Sequence, residues 1–214
     1  MTHQHRLEHT YPAALAVLVV IALQLFLQEK LTLGPNWLMP ALEAILVFLL
    51  LLSIPRHNTL EFRYRRMVVI GLIALMNFAN LYSLWVLLAW LLQGGIANGV
   101  ELLFDALKLW LTNIILFTLW YWELDAGGPV ARIHKKLEYP DFLFTQMTSP
   151  QFAQSTWRPS FVDYLFLSFT NASAFSPTDT LPLSPQAKML MLIQALISLV
   201  TVALVAARAV NILP

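Results

Sequence analysis

Glu43 stands inside an apolar run, between Leu42 and Ala44, and Glu101, Asp105 and Lys108 follow one another in a second run at spacings of four and three. A charge in hydrocarbon is expensive unless it is paired or wetted, so residues placed this way are candidates for proton relay, ligand contact or helix pairing. The spacings put Glu101, Asp105 and Lys108 on one helix face. Asp105 and Lys108 can pair locally, or Lys108 can reach Glu43 if the two helices are neighbours. These groups can line a hydrated path; the plainer alternative is a set of buried pairs that fixes helix order. Asn77 and Asn80 share a face, and Asn113 lies mid-way along the run that holds Lys108. Asparagines in lipid mostly hydrogen-bond between helices, each worth about 1 kcal/mol.

A second constellation lies near the carboxyl end, where Ser173, Ser176 and Thr178 bring hydroxyls beside the carboxylate of Asp179. Ser160 and Asp163 have the spacing of a capping box, which predicts a helix from residue 161 to about 175. At ~1.5 Å per residue that helix is about 22 Å long, short of a ~30 Å bilayer core. Pro177 ends it, and Ser184 with Pro185 supplies an N-cap and first-turn proline for a closing helix. Repeated around a symmetry axis, such hydroxyls and a ring of carboxylates favour hydrated cations over anions. The alternative is a capped turn with Asp179 solvated at a membrane surface.

These residues must be positioned by membrane helices. Hydrophobic residues make up 58% of the 214 and charged ones only 12%, more apolar surface than a soluble fold can bury. Apolar runs at residues 11–27, 37–54, 67–92, 100–122 and 189–210 meet or approach the roughly 20 residues that a crossing needs. The expected fold class is all-α: a polytopic transmembrane helix bundle of five full spans plus a short re-entrant or sixth membrane helix. The first run is read as a retained span, because no small-residue cleavage site follows it. One membrane domain covers residues 1–214, with a four-span bundle at 11–122, a polar loop at 123–160 and the helix, turn and closing helix at 161–210.

Arg56, Arg63, Arg65 and Arg66 fill one loop, and Arg132, Lys135, Lys136 and Arg158 another two spans on. The positive-inside rule puts both in the cytoplasm. A re-entrant helix at 161–175 then enters from inside and leaves the carboxyl terminus outside; a short sixth span returns Arg208 to the cytoplasm. In the polar loop, Gly127, Gly128 and Pro129 stop the fourth helix. Phe142, Leu143, Phe144 and Trp157 suit the headgroup region, and Trp85, Trp90, Trp110, Trp120 and Trp122 suit interfacial anchoring or packing. His3, His5 and His9 form a loose terminal cluster of the kind that binds metals weakly, and no metal site or cofactor is expected. The chain has no cysteine, which removes disulfides and thiol chemistry. A net charge of +1 points to no nucleic-acid partner. GxSxG, HExxH and phosphate-binding glycine loops are missing, so the chain is not expected to be an enzyme.

The carboxyl-terminal segment resembles the pore loop and inner helix of potassium-channel-type pore domains, whose signature is a pore helix, a TTVGYGD filter and a proline three residues later. Ser173, Ala174 and Phe175 fall on the threonine, threonine and valine; Ser176, Pro177 and Thr178 fall on glycine, tyrosine and glycine. Asp179 falls on the aspartate and Pro182 on the proline beyond it, with Phe161, Asp163 and Ser168 matching upstream positions. The chain as a whole is similar to multi-pass bacterial membrane proteins, which implies a bacterial cytoplasmic membrane. The resemblance implies a homo-oligomer in the lipid bilayer that conducts inorganic cations, with residues 173 and 175–179 at its constriction. The segment SPT at Ser176–Thr178 lacks the glycines that let filter carbonyls alternate, and Pro177 fixes its own φ, so a potassium filter of the usual geometry is not expected. Two other readings stand beside the channel: a proton-coupled small-solute transporter using Glu43, Asp105 and Lys108, and a membrane scaffold that moves nothing.

Overall fold

A computed structural model describes residues 3–32, 34–35, 37–51, 59–92, 99–134, 139–154, 157–174 and 179–212. Four helices come first: α1 (His3–Leu25), α2 (Leu38–Leu51), α3 (Thr59–Leu92) and α4 (Gly99–Leu124). Short α5 (Pro129–His134), strand β1 (Phe142–Phe144) and single-turn α6 (Thr145–Thr148) follow. The chain closes with α7 (Phe161–Ala174), strand β2 (Thr180–Pro182) and α8 (Pro185–Ile212). The structure is mostly helical, and its two short strands pair antiparallel, with Phe142 opposite Pro182 and Phe144 opposite Thr180.

Among the described residues three helical stretches are long and apolar enough to cross a membrane: Arg66–Leu92, Val100–Gly127 and Pro185–Ala206. The expectation of five full spans is therefore corrected. Pro12–Leu25 and Leu38–Phe48 are apolar but shorter. The helix α1 ends at Leu25 and gives way to a 3-10 turn over Glu29–Leu31, while α2 starts only at Leu38.

The helix α4 is the axis of the fold, packing against α1, α3, α7 and α8. Leu116, Leu119, Tyr121 and Trp122 are buried to within 1% of complete, so almost every face in its second half meets another element. Helix α8 shows the inverse of a soluble amphipathic pattern. It buries Gln194, Ser198 and Thr201 against α4 and α7 and leaves Leu192, Leu196 and Leu199 at least half exposed. Polar groups inside and aliphatic ones outside minimise free energy when the surrounding solvent is hydrocarbon. That arrangement and the span lengths are compatible with a membrane protein.

The glycine pair ends α4 as expected. Ala126, Gly127 and Gly128 take φ of 49°, 83° and 96°, and Pro129 opens α5. At Gly128 a Cβ would stand 3.0 Å from the Glu123 carbonyl oxygen, so both the φ and the space demand glycine.

Candidate functional site

The carboxyl-terminal hairpin is built on the end of α4. Asp125 is fully buried there, and its Oδ1 accepts the backbone N–H groups of Asp141 at 2.8 Å and Phe142 at 3.2 Å. Its Oδ2 accepts the Tyr164 hydroxyl at 2.6 Å. Asp141 answers by accepting the Ala126 N–H at 3.0 Å. Arg132 donates to the carbonyls of Trp122 and Asp125 at 2.8 and 2.7 Å, and its guanidinium lies 5.1 Å from the Tyr164 ring centre. One carboxylate thus ties together the end of α4, the start of β1 and the first turn of α7, and the arginine adds charged donors to carbonyls at the helix end, one of which, that of Asp125, also accepts the Gly128 N–H at 2.9 Å.

Both limbs of the hairpin lie at this same end. On the entering limb Phe161 stacks edge-on against Trp122 at 5.9 Å, and the capping box forms, with the Ser160 N–H and hydroxyl both donating to Asp163 at 2.7 Å. Deeper in, the Ser168 hydroxyl donates to the Ile114 carbonyl at 2.7 Å and Phe169 stacks on Trp110 at 6.0 Å. The 14-residue α7, about 20 Å long, therefore reaches only the middle of α4. On the returning limb the Asp179 carbonyl accepts the Thr145 hydroxyl at 2.7 Å, and β2 pairs with β1, whose Phe142 packs on Tyr121 at 5.0 Å. Ser184 caps α8 by accepting the Ala187 N–H at 3.2 Å, with Pro185 at the first turn. Helix α8 then runs antiparallel to α4, since Tyr121 meets Gln194 and Asn113 meets Ser198.

A buried polar seam holds α7 between α4 and α8. Tyr121 donates to Gln194 Oε1 at 2.6 Å, Asn171 donates to the same oxygen at 2.8 Å and to the Met191 carbonyl at 3.0 Å, and Gln194 donates to Ser168 Oγ at 2.7 Å and its carbonyl at 3.0 Å. Five groups from three helices satisfy one another without water, which fixes the rotation of α7 as well as its depth.

The expected filter falls partly outside the described residues: Phe175, Ser176, Pro177 and Thr178 lie there. Ser173 belongs to the last turn of α7, and its hydroxyl donates to the Phe169 carbonyl at 2.7 Å, so it is a helical residue and not part of an extended filter. Asp179 is exposed at the mouth of the hairpin beside the β1–β2 pair. Phe142 and Phe144, expected at the headgroups, are instead buried; Phe144 packs on Tyr164 at 5.3 Å and on Trp157 at 6.1 Å. Strand alternation turns both rings inward and leaves the intervening Leu143 partly exposed.

The other ionisable candidates lie in the amino-terminal half. Asp105 pairs with Lys108 at 2.8 Å, and Lys108 also donates to the Phe26 carbonyl. Lys108 does not reach Glu43, whose two carboxyl oxygens have no partner among the described residues. Glu101, although on the same face, is exposed and accepts Gln28 at 3.5 Å. Asn80 bridges to the Leu109 carbonyl and Asn113 to Ser198, as interhelical asparagines should, whereas Asn77 donates within its own helix to Ile73. Arg66 donates to the Glu123 carbonyl at 3.0 Å, which places the start of the α3 span and the end of α4 together. Arg66 of the first basic segment and Arg132 of the second thus lie at the same end of the bundle.

Asp125, Tyr164, Asn171 and Gln194 were not singled out by the sequence, and Arg132 was read only as one of the basic residues of a cytoplasmic loop. Among the described residues no group of three or more histidine, aspartate or glutamate side chains is arranged to hold a metal. Comparisons with protein families, with curated proteins and with solved structures find no match.

Proposed function

We propose that this protein is an oligomeric cation-permeable membrane pore in which α7 is a pore helix, residues 175–179 form the constriction and α8 is the inner helix. The observation that carries the reading is the hairpin. A helix too short to cross descends to mid-bundle, and the chain returns to the end from which it started. The sequence that follows α7, with hydroxyls at Ser176 and Thr178 ahead of the Asp179 carboxylate, is suited to a wet path. A single chain offers one such segment, so a conducting path needs several copies about an axis. The exposed aliphatic faces of α8 and the α1–α3 bundle then face lipid or neighbouring subunits. By the distribution of lysine and arginine, the hairpin opens toward the cytoplasm, the reverse of potassium channels.

Glu43 makes no direct hydrogen bond or ion pair with Asp105 or Lys108, which pair with each other. The experiment uses the absence of native thiols. Thr178→Cys protein reconstituted in vesicles should carry a potassium or sodium flux that a membrane-impermeant thiol reagent blocks, and should run as an oligomer in mild detergent. A monomer, or a flux untouched by the reagent at every position from 175 to 179, overturns the proposal.

A further inference from the structure

Glu43 is the most anomalous side chain in the amino-terminal half. It is 0% exposed, and neither oxygen has a hydrogen-bond or charge partner among the described residues. Its helix α2 packs against α1 and α3. Within Pro12–Leu25 of α1 and Met67–Leu92 of α3 there is no charged residue; the only titratable group is Tyr82, which is partly exposed. Lys108 on α4, which lines the cavity between these helices, is already held by Asp105 and the Phe26 carbonyl. Arg66 is committed to the Glu123 carbonyl at the other end of α3. An ionised carboxylate without donors or a counter-charge is the costliest group that an apolar interior can contain, and neutralisation by a proton removes most of that cost.

A polar cavity lies one helical turn away from it along α2. Between α1, α2, α3 and α4 lies a cavity of about 20 Å³, room for one water molecule, walled by Gln24, Thr32, Asn80, Ser83, Lys108 and Thr112. Asn80 is nine-tenths buried or more, and its Oδ1 has no partner, so an acceptor for water is in place. Met39, one helical turn before Glu43, forms part of the same wall.

We propose that Glu43 is a proton-binding site: its buried, unpartnered carboxyl carries a proton at neutral pH, with the polar cavity one helical turn away as the route by which that proton is exchanged. The site is independent of the pore hairpin. Deprotonation would put an unpaired charge between α1, α2 and α3, so loss of the proton should loosen the packing of α2.

The test is infrared spectroscopy of the full-length protein in lipid vesicles, comparing the parent with Glu43→Gln, with no flux measured. The parent should show the carbonyl stretch of a protonated carboxylic acid at neutral pH, shifted in heavy water, lost as the pH is raised and missing from Glu43→Gln. Identical spectra in that region, with the difference confined to carboxylate bands, overturn the proposal. If Glu43→Gln does not fold, the parent alone suffices. A hydrophobic carbodiimide, which attacks protonated carboxyls in apolar surroundings, should leave its adduct on Glu43 in peptide maps, and an unmodified Glu43 overturns the proposal equally.

Discussion

At the scale of single residues, the structure separates groups that organise the hairpin from groups that face solvent. Asp125 is the organiser. It accepts three hydrogen bonds from two elements that are 16 or more residues away in sequence. Tyr164→Phe removes the one contribution from α7 and leaves a buried carboxylate oxygen short of a donor, a loss of about 1–3 kcal/mol. Thermal unfolding in detergent should show the corresponding drop in midpoint, while Tyr139→Phe, at an exposed site, should leave it unchanged. Asp125 was hidden in the sequence because it sits beside Gly127 and Gly128, where a carboxylate reads as a solvated loop residue. The Asp105–Lys108 pair was legible because helical spacing alone brings the two together. Glu43 was legible as an intramembrane acid, but its lack of any partner depends on which helices surround α2, and periodicity carries no such information.

At the scale of elements, helix starts and stops were the most readable features. The Ser160–Asp163 box, the Gly127–Gly128–Pro129 stop and the Ser184–Pro185 start are local chemistry, and all three appear in the structure. The β1–β2 pair was not readable. Three-residue strands leave too short an alternation to recognise, and their partners are 38 positions apart, as with Leu143 and Leu181. That pair is also what places the returning limb at the same end as the entering one. Leu143 and Leu181 are register partners with no native cysteine to compete, so Leu143→Cys together with Leu181→Cys should form a disulfide on mild oxidation. The cross-link should appear as an altered gel mobility that reductant reverses. If the chain crossed the membrane between α7 and α8, the two thiols would lie on opposite faces and no such band could form.

At the scale of the whole molecule, composition points to a membrane protein, and the inverted polarity of α8 is compatible with it. The number of spans was less legible: among the described residues three helices are long and apolar enough to cross, against the five expected. The helix α7 is held between α4 and α8 by the polar seam of Tyr121, Asn171, Gln194 and Ser168; in the proposed pore the three would serve as outer helix, pore helix and inner helix. An oligomer formed through the exposed faces of these helices would bring several copies of Asp179 toward one axis. The most direct measurement is single-channel recording of the purified protein in planar lipid bilayers, parent against Asp179→Asn. The account predicts discrete cation-selective openings in the parent and a several-fold lower cation conductance when the ring of carboxylates is neutralised. A parent protein that is folded and oligomeric yet passes no current, or a conductance and selectivity that Asp179→Asn leaves unchanged, would contradict it.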